Sequence, residues 1–234
     1  MKKAFTLAEV LITLTILGVV ASLTIASTRQ NISQRETVLK VKHTYSLLSN
    51  AYDIYLITNP QMPPQSYSAQ GATNVANMFL QSVQVANDVG TDPAAKRRIM
   101  HTGNYLDLHG KSGYNIYVDR NTYYLVVLKD GSHLWFKGIE SAGHRQDNIV
   151  SDIFYDVNGR RGPNRRGYDM FEFNIADREI IPAGEHPTYD SFAATCSNRS
   201  TGSGWGCAAW IIRNNNMDYL KCDGLRLTDT HCPR

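Results

Sequence analysis

Residues 5–26 read FTLAEVLITLTILGVVASLTIA, an apolar run carrying a single charge, Glu9, behind the short basic leader Met1-Lys2-Lys3-Ala4. About 20 apolar residues in a helix cross a bilayer, and Phe5 to Ala26 supplies 22 positions. The run predicts a membrane-inserted helix whose N-terminus Lys2 and Lys3 hold on the cytoplasmic side. An ionised carboxylate inside such a helix costs on the order of 3 kcal/mol or more unless a partner compensates it. Glu9 therefore marks a task for this helix beyond anchoring. A cleaved secretory signal competes, with Ala26 near a small-residue site, but such signals have a shorter apolar core and rarely a carboxylate near its start. A plain uncleaved anchor accounts for everything except Glu9 and the immediate Phe-Thr-Leu start.

The run K-K-A-F-T-L-A-E-V-L-I-T-L resembles the N-terminal signature of type IV pilins and type II secretion pseudopilins. In that family a dedicated peptidase cuts just before the Phe on the cytoplasmic side and methylates the new N-terminus. The resemblance implies cleavage between Ala4 and Phe5, N-methylation of Phe5, and Glu9 as the fifth residue of the mature chain. Ala4 departs from the Gly usual before the cut. Elementary electrostatics points the same way, because cutting before Phe5 creates a positive amine close to Glu9. A buried carboxylate needs a cationic partner, and in a fibre the amine of an adjacent subunit supplies one. The alternative is that Glu9 snorkels to the headgroups.

The helical pattern continues past the apolar run. Ile32, Val38, Leu39, Val41, Tyr45, Leu48, Tyr52 and Tyr55 recur mostly at three- and four-residue spacing, with Arg29, Arg35, Glu36, Lys40 and Lys42 interleaved. Pro60-Gln-Met-Pro-Pro is a strong stop. The spacing predicts one helix from about Phe5 to Thr58, apolar all round in its first half and amphipathic in its second. The expected division is 1–4 as leader, 5–27 as the membrane-spanning and assembly half of the helix, 28–58 as its amphipathic half, and 59–234 as a globular head.

Within the head a second helix is expected near Asn74–Asn87, and Asp92-Pro93 with Lys96-Arg97-Arg98 read as solvated loop. Tyr123–Leu128 and Ser132–Lys137 around Asp130-Gly131 predict a β-hairpin, since Asp-Gly supplies the positive φ a tight turn needs. Further strands are expected at Ser151–Asp156, Met170–Ile175 and Glu179–Ile181. The fold class is α+β: a long N-terminal helix packed on an antiparallel sheet, ahead of a disulfide-bearing C-terminal region. This order of elements is similar to the pilin architecture.

All four cysteines, Cys196, Cys207, Cys222 and Cys232, fall near the C-terminus. An even number in a membrane-anchored chain predicts two disulfides formed outside the cytoplasm; a zinc site competes, but there is no C-x-x-C pair. Three pairings are open. Cys196–Cys207 with Cys222–Cys232 is the expectation, because each closes a short local loop. The formal charge of +3 falls to +1 without Lys2 and Lys3, so no specific nucleic-acid binding is expected.

The richest local constellation is 156–169, DVNGRRGPNRRGYD. Asp156, Asn158, Asn164 and Asp169 offer hard oxygen ligands of the kind Ca²⁺ prefers, and the set resembles the calcium-bearing loop of major pseudopilins. It is not an EF-hand loop, since Arg160 replaces a ligand and the distal Glu is missing. The alternative is a long turn whose Asp and Asn side chains cap its own backbone, and four arginines count against a cation unless they point outward. The seven histidines lack paired metal-ligand spacing, and no G-x-S-x-G elbow or phosphate-binding glycine loop occurs. Trp205–Ile212 reads as a buried strand or turn pinned by a disulfide, or as an exposed adhesive tip. The chain thus reads as a non-enzymatic structural subunit that polymerises with other pilin-like subunits into a pilus or pseudopilus fibre. Its further partners would be the prepilin peptidase/methyltransferase and a membrane assembly machinery. A monomeric membrane-anchored binding or adhesin domain is the alternative.

Overall fold

The computed structural model describes residues 7–59, 66–100, 105–111, 116–139 and 148–233, with side chains described at all of these except 22–31 and 116. The chain divides into two compact units, residues 1–37 and 38–234. Helix α1, Leu7–Thr58, begins in the first and ends in the second. Its C-terminal end falls where the sequence places it, because a residue before proline is pushed out of the α region. In the first unit Leu7, Leu11, Ile12, Leu14, Ile16 and Leu17 are all more than half exposed. Among the described residues no helix is long and apolar enough to cross a membrane.

The second unit is built on a sheet of six antiparallel strands in sequence order: β1 Val85–Gly90, β2 Tyr123–Leu128, β3 His133–Lys137, β4 Ile149–Asp156, β5 Met170–Ala176 and β6 Ile180–Pro182. The β2–β3 hairpin turns at Asp130-Gly131 as expected. Gly131 takes φ 83°, and the Asp130 carboxylate accepts the Ser132 N–H at 3.0 Å. Central strand β4 is buried along its whole length, so both sheet faces are covered.

One face packs on the amphipathic half of α1. Val38, Val41, Leu48, Ala51 and Tyr52 are buried there, and each large apolar side chain removed from water contributes about 1.5–3 kcal/mol. Tyr45 stacks on Phe173 at 5.7 Å and donates to the Ile180 carbonyl at 3.2 Å; Tyr52 donates to the Ala176 carbonyl at 2.9 Å. These tyrosines bury their rings and still satisfy their hydroxyls at the strand ends. Phe136 and Phe79 stack at 5.4 Å where helix α2, Ala69–Asn77, covers the same face.

The opposite face carries an aromatic cluster. Tyr117, in the short helix α4 Ile116–Asp119, lies 4.9 Å from Phe154 and 5.2 Å from Tyr123, and Phe154 lies 5.3 Å from Trp205.

Four expectations need correction. The second helix is Ala69–Asn77, not Asn74–Asn87, because Ser68 caps it by accepting the Gly71 N–H at 3.1 Å. Val85–Gly90 is instead an edge strand, whose polar exposed residues hid it from a search for apolar alternation. Asp92 and Pro93 start helix α3, Pro93–Ile99, with the Asp92 carboxylate accepting from the N–H groups of Ala94 and Ala95 at 3.1 and 3.2 Å. Lys96 is not solvated: it is fully buried, and its ammonium donates to the carbonyls of Tyr117, Arg120 and Tyr123 at 3.0, 2.5 and 2.9 Å. Burial pushes that ammonium down to about 8.

The fourth correction is Trp205–Ile212, which enters helix α6, Cys207–Asn214, after the short helix α5, Phe192–Thr195. Trp210 is wholly buried, stacks on Phe192 at 5.3 Å and donates to Asn216 at 2.8 Å, which removes it from any exposed tip. The disulfides are Cys196–Cys207, joining α5 to α6, and Cys222–Cys232, with Cα separations of 5.2 and 5.9 Å. Closing loops this short stabilises by roughly 2.5–3 kcal/mol each in the chain-entropy account.

Candidate functional site

The processing residues Ala4 and Phe5 lie outside the described residues. Glu9 lies in the first turn of α1, where a carboxylate complements the positive end of the helix dipole. The hydroxyls that follow fold back on their own helix. Thr13 donates to the carbonyls of Glu9 and Val10 at 2.9 and 3.0 Å, and Thr15 to that of Leu11 at 2.7 Å. An apolar surround then meets the Thr13 and Thr15 hydroxyls already satisfied, so that Glu9 is the acidic side chain of the described part of this run.

In the second unit the 156–169 loop brings Asp156, Asn158, Asn164 and Asp169 together, and the donors facing the two carboxylates are the loop's own apart from the Tyr105 hydroxyl, while Asn158 Oδ1 is buried without a donor. Asp169 Oδ1 accepts the Arg165 N–H at 2.6 Å; Oδ2 accepts the Asn164 N–H at 2.8 Å and the Asn158 side-chain amide at 3.2 Å. Asp156 Oδ1 accepts the N–H groups of Asn158 and Gly159 at 3.2 and 2.8 Å, and Oδ2 accepts the Tyr105 hydroxyl at 2.7 Å. With its amide nitrogen turned inward, Asn164 donates to the carbonyls of Arg161 and Gly159 at 3.1 and 3.2 Å. Gly159 and Asn164 adopt positive φ of 59° and 50°, which Gly and Asn tolerate best. A side chain at Gly159 would meet the Gly131 carbonyl at 2.3 Å. Each carboxylate thus faces N–H and O–H groups, which is how an Asx-capped turn is built.

Burial raises both carboxyls, Asp156 well above its ordinary value with further repulsion from Asp169, and Asp169 upward against the hydrogen bonds it accepts from Arg165, Asn164 and Asn158, among others. The four arginines divide. Arg165 donates to the carbonyls of Asp107 and Leu108 and lies 4.2 Å over the Tyr168 ring. Arg166 is buried, 3.6 Å over Trp205. Arg160 and Arg161 are exposed. Among the described residues no group of three His, Cys, Asp or Glu side chains is placed to hold a metal ion.

Sequence reasoning missed a second polar cluster on the sheet face opposite α1. Lys137 pairs with Asp152 at 2.7 Å, Asn174 donates to Asp152 and Glu172 at 3.1 Å each, and the Tyr189 hydroxyl donates to Asp152 at 3.2 Å. The alternation Phe171-Glu172-Phe173-Asn174-Ile175 carried the signal, but it reads as a strand with one wet face. Asp190 beside this cluster is pushed up to about 6 by burial and by repulsion from Asp152, against attraction from Lys137 and Arg166. Burial and the charges of Asp152 and Asp190 raise Glu172 well above its usual range.

A carboxyl raised from 3.8 contributes stability that is complete below 3.8 and is lost as pH climbs through about 6. His133, pushed down by burial to about 4, works oppositely below its usual 6.5. The raised acids outnumber it, so the melting temperature of the chain is expected to rise as pH falls from about 7.5 to about 5.5. Asp190→Asn should reduce that rise by the equivalent of about 1 kcal/mol; identical pH profiles for the two proteins would refute the assignment to Asp190.

Residues 1–25 match the family model for the prokaryotic N-terminal methylation motif, the prepilin-type signature of type IV pilins and pseudopilins. The motif marks a pilin-like or pseudopilin precursor that is processed at its N-terminus. No curated protein and no solved structure matches the chain.

Proposed function

We propose that this chain is a structural subunit of a pilus or pseudopilus fibre in a type IV pilus or type II secretion system. The observation that carries the reading is the methylation motif at residues 1–25, continued by a helix whose large apolar side chains are exposed from Leu7 onward. Exposed apolar surface of that extent needs lipid or another subunit to cover it. In this reading residues 1–4 are the leader, the prepilin peptidase cuts between Ala4 and Phe5, and Phe5 is N-methylated. Residues 5–27 first cross the cytoplasmic membrane, leaving the head outside, and then enter the core of the fibre beside other pilin-like subunits. The extracytoplasmic placement agrees with two disulfides in the head. The subunit performs no chemistry of its own; its work is docking, and Glu9 sets the register by pairing with a neighbour's N-terminal amine.

Mass spectrometry of the N-terminus of protein recovered from membranes tests the reading. N-methylated Phe5 is the expected species, and a population retaining Met1 in cells with an active prepilin peptidase would overturn it.

A further inference from the structure

Arg160 and Arg161 are the exposed arginines of the 156–169 loop. Together with Arg98, from the last turn of α3, they line a pocket of about 350 Å³. Asn87 of β1, His133 of β3 and Asn158 complete its polar wall, and no lining residue is acidic. Three guanidinium groups drawn from two separate segments of chain raise the local positive potential well above what the small net charge of the protein suggests.

Four other arginines of the head are held by carboxylates. Arg97, one residue from Arg98, is forked onto Asp119 at 2.9 Å, while Arg199, Arg213 and Arg226 pair with Asp223, Glu185 and Asp229. Among the described residues neither Arg98 nor Arg161 has a carboxylate partner. The nearest acid to the hairpin turn, Asp130, is already engaged by the Ser132 N–H and, at 3.8 Å, by Lys40.

An independent observation lies in the pocket wall. His133 is 2 % exposed, and its Nδ1 has no hydrogen-bond partner, an expensive state for a buried polar atom. Burial holds this imidazole neutral at neutral pH, so it adds no fourth charge to the pocket wall.

Forked, planar guanidinium groups match the oxygens of a tetrahedral oxyanion two at a time. We propose that this pocket binds a phosphate group, either free or within a phosphodiester chain.

Isothermal titration of the full-length chain in maltoside micelles, whose headgroups carry no phosphate, tests this with inorganic phosphate and with a short oligothymidylate. Saturable single-site binding of at least one probe is expected, weakening with salt. Arg98→Gln and Arg161→Gln should each weaken it by roughly fivefold to tenfold. Arg226→Gln, which removes the same charge elsewhere on the surface, should change it by less than about twofold. Saturation by inorganic phosphate identifies a free-ion site, whereas binding of the oligonucleotide alone identifies the diester chain. The proposal is overturned if neither probe binds, if Arg226→Gln costs as much as the pocket variants, or if polygalacturonate, a carboxylate polymer, competes as well as the better phosphate probe.

Discussion

A chain carrying Glu9→Leu should accumulate in the membrane at the normal level and be processed to begin at Phe5, yet be missing from sheared fibres. The loss should be near complete. Insertion depends on summed hydropathy, which Leu improves, because a carboxylate in an apolar segment costs up to about 3 kcal/mol, the most at its centre. Assembly depends on something hydropathy does not supply. Packing between apolar helices in lipid has little directional preference, so many registers along α1 are nearly equal in energy. One carboxylate and one amine per subunit remove that degeneracy, since any register that leaves both charges buried and unpaired costs several kcal/mol, on the order of a broken buried ion pair. Glu9→Asp, with the charge drawn back by one methylene, should assemble poorly but measurably. Immunoblots of membrane and sheared-fibre fractions read both variants; Glu9→Leu fibres of normal abundance would remove Glu9 from the docking mechanism.

What could be read from the sequence was what local chemistry decides. The end of α1 at Thr58 follows from Pro60, the β2–β3 hairpin follows from Asp130-Gly131, and the disulfide pairing follows from the short loops closed. Helix α6 was missed because eight residues span barely two turns, too few for Ala208, Ala209 and Ile211 to reveal a buried stripe opposite Arg213. Lys96 was misread because its partners lie 21, 24 and 27 residues away. Nothing in Lys-Arg-Arg says which cation three carbonyls will enclose. The loop at 156–169 was half legible. Its oxygen-bearing residues announced a site where the backbone turns sharply, but the direction of each arginine is set by distant groups, Asp107 and Leu108 for Arg165 and Trp205 for Arg166. The same long-range placement brings Arg98 beside Arg160 and Arg161, which a net charge of +3 could not foreshadow.

Asp169→Ala should be the most damaging single change in the head. The carboxylate gathers the N–H groups of Arg165 and Asn164 and the side-chain amide of Asn158, all within 3.2 Å. Removing it leaves three donors with restricted access to water, at about 1–3 kcal/mol for each that stays unpaired. Against this, alanine relieves the desolvation that holds the Asp169 carboxyl above its usual range, a gain of one group set against a loss of three. The net expectation is a loss of about 3 kcal/mol, with Asp169→Asn intermediate because one oxygen survives. The same measurement separates the two roles open to this loop. Donors already occupy both carboxylates, so a turn closed by its own backbone should melt at the same temperature in millimolar Ca²⁺ and in chelator, and Asp169→Ala should lose the same stability in each. If Ca²⁺ raised the melting temperature of the unaltered chain and left that of Asp169→Ala unchanged, the loop would be a cation site, and its amides would have to swing away from the oxygens they now face.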